Sequence, residues 1–268
     1  MFERLWDLPR ELFWVMKNRL PCRRTGESPL LTPQIPIVFE RLLPPQQQRF
    51  RALQRRYPRA ADDNGLDPFN ALEWLYILDV CDQFVKVIPT AGRALDVGCA
   101  DFGYLPALYR FYPAAWDGVE LDAHQRYYNG HHRRSYGQAM AARYDGCRYL
   151  ARDVMELQGR YDLITWFLPF VLPEAQSAYG LPARFFQPQR LLDHVLTLLE
   201  PQGVLLIVNQ GAREAEAQLG LLLDCAADFD ELGPVCSVFS PFSQPRYGWR
   251  ITALHQGTGR ETHRSCPP

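Results

Sequence analysis

Apolar residues recur at helical spacing over residues 2–20, where Phe2, Leu5, Trp6, Leu12, Phe13, Met16 and Leu20 mark one helix. Asp7 and Pro9 read as a restart of that helix rather than its interior. Pro21, Pro29, Pro33, Pro36, Pro44 and Pro45 then exclude long regular structure over residues 21–45. A polar, Arg-rich segment follows, Gln46 to Arg59, and Asp67-Pro68 offers an N-cap and first-turn proline for an apolar helix to about Lys86. From Arg93 onward the pattern alternates. Strands are predicted at 93–98, 116–121, 147–152, 161–167 and 203–209, with helices at 104–112, 122–143, 188–200 and 211–227. Strands separated by crossover helices predict an α/β fold with a doubly wound, mostly parallel sheet. Leu232 to Phe239 and Tyr247 to His255 are joined by six residues, Ser240 to Pro245, too few for a crossover helix. They predict a C-terminal antiparallel hairpin that completes seven strands. Three regions result: a helical and Pro-rich basic extension (1–65), the sheet-forming domain (66–256) and a frayed tail (257–268).

Composition narrows the class. The 268 residues make one large domain or a domain with an appendage, and 47% apolar with 22% charged residues is ordinary for a soluble globular protein. A net charge of -1 gives no global pull toward nucleic acid or membrane. Residues 1–60, however, hold twelve Arg or Lys against five acids, a local +7 that leaves -8 for the remainder. Seven scattered cysteines without a C-x-x-C pair imply reduced thiols rather than a disulfide frame or zinc site, and no metal is expected. With no apolar run of membrane-spanning length and no secretory signal, the expected location is cytoplasmic.

The stretch from Ala94 to Gly103 reads as a short apolar strand running into Asp96 and a glycine-bearing turn before the next helix. Such a turn leaves backbone N–H groups free for a nucleotide-like ligand. Further acids follow in order. Glu120 ends the second strand, where it can accept both hydroxyls of a ribose bound across the first turn. Asp153 ends the third, where a carboxylate can accept from an adenine amine. Any one of these acids alone would be read as a surface charge; the ordered set is not.

The series resembles the class I S-adenosylmethionine-dependent methyltransferases over roughly residues 66–256. The resemblance implies S-adenosyl-L-methionine as cofactor, with Asp96, Gly98, Ala100 and Gly103 around its methionine part. It implies Glu120 on the ribose with Leu121 stacking on the base, and Asp153 with Val154 at the adenine. The reversed last strand is also a family feature. The family's first turn runs Asp-x-Gly-x-Gly-x-Gly, whereas this chain has Ala100 at the middle glycine, Phe102 at the last and a glycine one place late at Gly103. A turn one residue longer and shifted is the expectation. The rival reading is the dinucleotide fingerprint of an NAD(P)-binding oxidoreductase, since Gly98-x-Ala100-x-x-Gly103 nearly matches it and Glu120 follows 17 positions later. Against it, the glycine that lets backbone reach a pyrophosphate is the one replaced, and Asp96 would crowd that group.

Past the fourth strand, Trp166, Phe167 and Phe170 stand at the edge where ligands bind, as a candidate substrate wall. Residues 168–188 form a long, Pro-containing connection of the kind that makes lids. His131-His132-Arg133-Arg134 reads as a solvated helix face, and His124 and His194 as structural. No catalytic base is identified. The expected reaction is methyl transfer to a small-molecule or lipid- or glycan-linked acceptor; a non-catalytic methyltransferase-like subunit is the alternative. No Asn-Pro-Pro-Tyr-like run follows the fourth strand, which argues against nucleic-acid bases. The basic residues 1–60 leave open a peripheral membrane or protein partner.

Overall fold

A computed structural model of the chain describes residues 3–19, 41–58, 71–85, 92–225 and 227–252. The Asp67-Pro68 cap, prolines 21 to 36 and the tail lie outside them. The strands are β1 (Arg93–Val97), β2 (Ala115–Val119), β3 (Arg148–Leu150), β4 (Tyr161–Phe167), β5 (Leu199–Gln210), β6 (Asp228–Pro234) and β7 (Arg246–Thr252). They form one sheet in the order β3-β2-β1-β4-β5-β7-β6. The first five pair in parallel, and β7 is antiparallel to both β5 and β6. The strand order reverses between β1 and β4, which opens a crevice at their carboxyl ends.

Both faces of the sheet are covered, so its central strands are apolar throughout. Val204, Leu206 and Val208 of β5 join one buried cluster with α3 (Ala71–Phe84) and α4 (Leu105–Phe111). Leu205 and Ile207 point the other way, into a cluster with α7 (Pro188–Thr197) and α8 (Gly211–Leu223). No helix among the described residues is long and apolar enough to cross a membrane.

Besides β5, which starts at Leu199 and takes the end of the predicted 188–200 helix, four elements depart from the sequence pattern. First, α1 runs unbroken over Glu3–Arg19 with Pro9 inside it, held by tertiary contacts on its Asp7, Glu11, Trp14 and Lys17 side. Second, the polar segment after Pro44 is a helix, α2 (Pro44–Arg56). Its two prolines occupy the first turn, where no N–H is needed, and only Phe50 and Leu53 are buried, too few to give an apolar period. Third, α5 (Arg133–Ala141) takes up less than half of the 122–143 helix, because Asn129-Gly130 forms a turn with Gly130 at φ 83°. Fourth, β6 starts four residues before the sequence-predicted 232–239 strand, in a register that sets Asp230 against Arg250, bonded at 2.7 and 3.0 Å.

Helix α2 is tied to the body by charge. Arg49 donates to Asp79 and Asp82 of α3 at 2.6 Å each; Tyr57 also donates to Asp82, and Ser237 to Asp79. Asp79 is 1% exposed, so Arg49 compensates a carboxylate that water cannot reach.

The first turn follows the residue numbering of the resemblance but keeps only the first of its three glycines, Gly98. Backbone φ is positive at Gly98 (69°), Ala100 (49°) and Phe102 (61°), and Gly103 is not among the positive-φ residues. The turn is therefore in register rather than shifted by one. Phe102 accepts this conformation because its ring is fully buried against Tyr149, with centroids 6.5 Å apart, over the bare backbone of Gly118. A Cβ at Gly118 would lie 2.8 Å from that ring. A large side chain beneath the turn thus replaces the flexibility of a glycine within it.

Two stability outcomes follow from this packing. Ala100→Gly is expected to stabilise the protein by about 0.5–1 kcal/mol, because relief of the left-handed backbone outweighs the extra entropy of glycine; a fall in denaturation midpoint would show that Ala100 is unstrained. Arg49→Ala is expected to cost roughly 3 kcal/mol by stranding Asp79 and Asp82. Urea unfolding at neutral pH measures both, and an unchanged midpoint in the Arg49 variant would make α2 an independent appendage.

Candidate functional site

The carboxyl ends of β1, β2, β3 and β4 open onto one cavity of about 720 Å³. Asp96 stands at its floor, 2% exposed, in register with Thr165 of the neighbouring β4. Its Oδ1 accepts from the Thr165 hydroxyl at 2.8 Å, whereas Oδ2 is buried without a partner among the described residues. Burial raises the Asp96 pKa to about 7; the Thr165 hydrogen bond opposes this and the negative Glu120 adds to it. A buried carboxylate with one empty oxygen is a site for a cationic or hydrogen-bonding ligand group.

Glu120 ends β2, and both its oxygens are engaged. Oε2 accepts from Ala100 N–H at 2.9 Å and Oε1 from Asp122 N–H at 2.6 Å, so the side chain pins the first turn to the end of β2. Tyr149 holds the other side of the turn, donating to the Ala100 carbonyl at 2.7 Å. Burial pushes Glu120 upward, while Arg133 and the two N–H groups pull it down. Asp153 follows β3 and caps a 3-10 turn, its Oδ1 accepting from Met155 N–H at 3.0 Å. The carbonyl of Val154 is held by His194 Nε2 at 3.0 Å, a structural place for that histidine.

All eleven residues singled out from the sequence line this cavity: Asp96, Gly98, Ala100, Gly103, Glu120, Leu121, Asp153, Val154, Trp166, Phe167 and Phe170. The 168–188 connection closes over them. It carries α6 (Pro173–Ala178) and a 3-10 turn at Ala183–Phe185, and contributes Gln176, Tyr179 and Phe185 to the lining. Leu168 begins it at φ 57°, a left-handed non-glycine at the cavity wall. Tyr179 packs on Phe170 with centroids 5.1 Å apart. Helix α1 lies across this connection. Trp14 meets Phe185 at 4.9 Å, Asp7 accepts from Ala183 N–H at 3.0 Å, and Glu11 pairs with Arg184. Lys17 reaches the other bank and pairs with buried Asp122, two residues past Glu120.

Several lining residues carried no sequence signal. Glu73 and Trp74 come from α3, Tyr104 from the start of α4, and Glu214 from α8, each brought to the edge by packing alone. Tyr104 donates to Glu73 at 2.7 Å and packs edge-on against Phe167 at 5.5 Å. The His131 to Arg134 run is a solvated face only in part, since Arg134 is exposed whereas His132 and Arg133 turn inward. His132 is 5% exposed at the start of α5, and Arg133 lies over the Tyr179 ring at 5.0 Å and within 3.9 Å of Glu120. The Asn129-Gly130 turn ahead of α5 is the feature that turns these residues inward.

No family profile and no curated protein sequence matches the chain. Among solved structures it is similar to the plantazolicin methyltransferase BpumL in complex with SAH, at 14% identity over 79% of this chain and 91% of that one, TM-score 0.45. It is similar to a SAM-dependent methyltransferase from Aquifex aeolicus at 13% identity over 76% and 98% of the two chains, TM-score 0.49. The CurJ carbon methyltransferase follows at 16% over 78% and 60%, TM-score 0.47. The chain's own strand order, with β7 reversed at the end of a parallel sheet, is a Rossmann-like fold.

Proposed function

We propose that the protein transfers a methyl group from S-adenosyl-L-methionine to a small-molecule acceptor. The observation that carries this reading is the buried, unpartnered Oδ2 of Asp96 on the floor of a cavity that Glu120 and Asp153 also line. It suits the ammonium of an amino-acid ligand. A dinucleotide would bring a pyrophosphate against that carboxylate and against the Ala100 methyl. In this reading Asp96 and the turn from Gly98 to Gly103 hold the methionine part. Glu120 accepts the ribose hydroxyls through lone pairs its two backbone contacts leave. Leu121 and Val154 flank the base, and Asp153 accepts from its amine through the oxygen not used as a cap.

When bound, the donor supplies an electrophilic methyl on a sulfonium. The chain's own residues supply position and dryness. Trp166 and Phe167 follow β1's neighbour β4 to the crevice, and Phe170, Tyr179 and Phe185 roof it, so a nucleophile is held away from water. Helix α1 backs this roof, with Trp14 packed on Phe185. Titration with S-adenosylhomocysteine tests the donor site, and transfer of labelled methyl to a mixed metabolite extract tests the reaction. Binding without any transfer would favour a non-catalytic methyltransferase-like subunit.

Glu120→Ala is expected to weaken S-adenosylhomocysteine binding by about 2–3 kcal/mol, the worth of a charged hydrogen-bonding group. It also leaves two buried N–H groups unsatisfied, so the titration belongs well below the unfolding temperature. Full affinity in the folded variant would make this acid purely structural.

Asp96 gives the site a pH signature. Its folded pKa of about 7 means that it is largely protonated at pH 6 and ionised at pH 8. A ligand ammonium binds the ionised form, so affinity is expected to rise by up to about tenfold from pH 6 to pH 8, with proton release on binding at pH 6. The same raised pKa makes its own stability contribution fall as pH rises from about 4 to 7, because the folded state holds the proton longer. Asp96→Asn is expected to flatten the binding profile. Calorimetry in buffers of different ionisation enthalpy reads the proton, and a profile that persists in the variant places the titrating group elsewhere.

A further inference from the structure

The charge and chemistry of the cavity beyond the donor residues narrow the acceptor. Among the described residues six acids line it (Glu73, Asp96, Asp101, Glu120, Asp153 and Glu214), against one base, Arg152, which adjoins Asp153 at the adenine side. The donor reading uses Asp96, Glu120 and Asp153. Asp101 is committed to the first turn, accepting from Tyr127 at 2.8 Å and from Gly103 N–H at 3.2 Å. Glu73 and Glu214 are left, on α3 and α8, at the β1–β4–β5 side of the crevice.

Each of these two carboxylates has one oxygen engaged. Tyr104 donates to Glu73 Oε1 at 2.7 Å, and Gln210 N–H to Glu214 Oε2 at 2.9 Å. The second oxygen of each makes no hydrogen bond or ion pair among the described residues. Arg246, buried and reached by the fields of both, offsets part of their charge from behind the wall without lining the cavity. Aromatic rings share the lining with them: Tyr104, bonded to Glu73, packs on Phe167, and Phe170 packs on Tyr179. Aromatic faces beside carboxylates hold a cation and repel an anion. Among the described residues the lining holds no histidine and no lysine, and its one thiol, Cys99, is pushed well up by burial. A hydroxyl or carbon nucleophile needs a base to activate it; an amine needs only to lose a proton.

We propose that the methyl acceptor is a primary or secondary amine on an apolar, aromatic-sized body, held as a cation by Glu73 and Glu214. The inference rests on the donor reading above for which acids remain to the acceptor. In the transfer, the ammonium first passes a proton to the free carboxylate oxygen of Glu73 or Glu214, which returns it to solvent after release. The nitrogen lone pair then forms the new N–C bond as the S–C bond of the sulfonium breaks, its electron pair staying on sulfur. The product leaves as a methylated ammonium beside a neutral thioether.

The test uses the full chain, with and without saturating S-adenosylhomocysteine, so that loss of the donor site is seen separately from loss of amine preference. Phenethylamine and tryptamine are titrated beside the carboxylic acids and alcohols of the same ring and chain length. Amines are expected to bind at least about tenfold more tightly than either set of twins, as a charged pair in a largely enclosed site implies. Glu73→Gln and Glu214→Gln are each expected to reduce that preference severalfold while S-adenosylhomocysteine affinity stays within about twofold. Two separate variants keep the test open if one misfolds. Acids or alcohols that bind as well as amines, a preference untouched by both variants, or no amine binding at all would each overturn the proposal.

Discussion

The Glu120 carboxylate holds two loops at once, and the site depends on that clasp. One oxygen takes the N–H of Ala100 in the first turn and the other that of Asp122 beyond β2. Both N–H groups belong to non-helical backbone at a sheet edge, where an unpaired donor costs about 1–3 kcal/mol. The clasp therefore sets the distance between two strand ends. It also explains how the turn does without two glycines. Ala100 is held from both sides, by Glu120 at its N–H and by Tyr149 at its carbonyl, and Phe102 is anchored below by its buried ring. Tertiary contacts over-determine a backbone course that local propensity disfavours.

The roof of the cavity shows the reverse of an ordinary surface helix. Helix α1 turns its polar residues inward, where Asp7, Glu11 and Lys17 meet the 183–184 backbone and side chain and Asp122. Leu8, Leu12 and Met16 remain more than half exposed on its outer side. Directional contacts, together with Trp14 buried against Phe185, thus fix its position over the 168–188 connection. The Lys17–Asp122 pair is largely out of water, so its worth is contingent on the Asp122 surroundings, which include Arg133 at 3.8 Å.

Charge is segregated across the molecule. Arginines outside the cavity compensate buried acids, as Arg49 does for Asp79 and Asp82, and as Arg93 and Arg148 do for Asp117. Inside the cavity compensation is thinner: Arg133 stands 3.9 Å from Glu120, and Asp96 keeps an oxygen with no partner among the described residues. A protein near neutrality overall thus carries a negative pocket, and that local field bears on what can bind there.

By itself the sequence determined the order of strands and helices from Arg93 to Gln210, because apolar runs bounded by turn residues are a local signal. It also placed the acids at strand ends, since a polar residue closing an apolar run marks where the strand leaves the core. Elements with weak local periods were not legible. Helix α2 buries only Phe50 and Leu53, and the 121–132 loop hides its Asn129-Gly130 turn inside a helix-like stretch. Only the tertiary structure decided that Thr165 faces Asp96, through the β1–β4 register, and that Oδ2 is left empty. It alone brought Glu73, Tyr104 and Glu214 to one cavity from three separate helices and helix starts. Pairing and packing join residues far apart in the chain, and no spacing within the sequence encodes that distance.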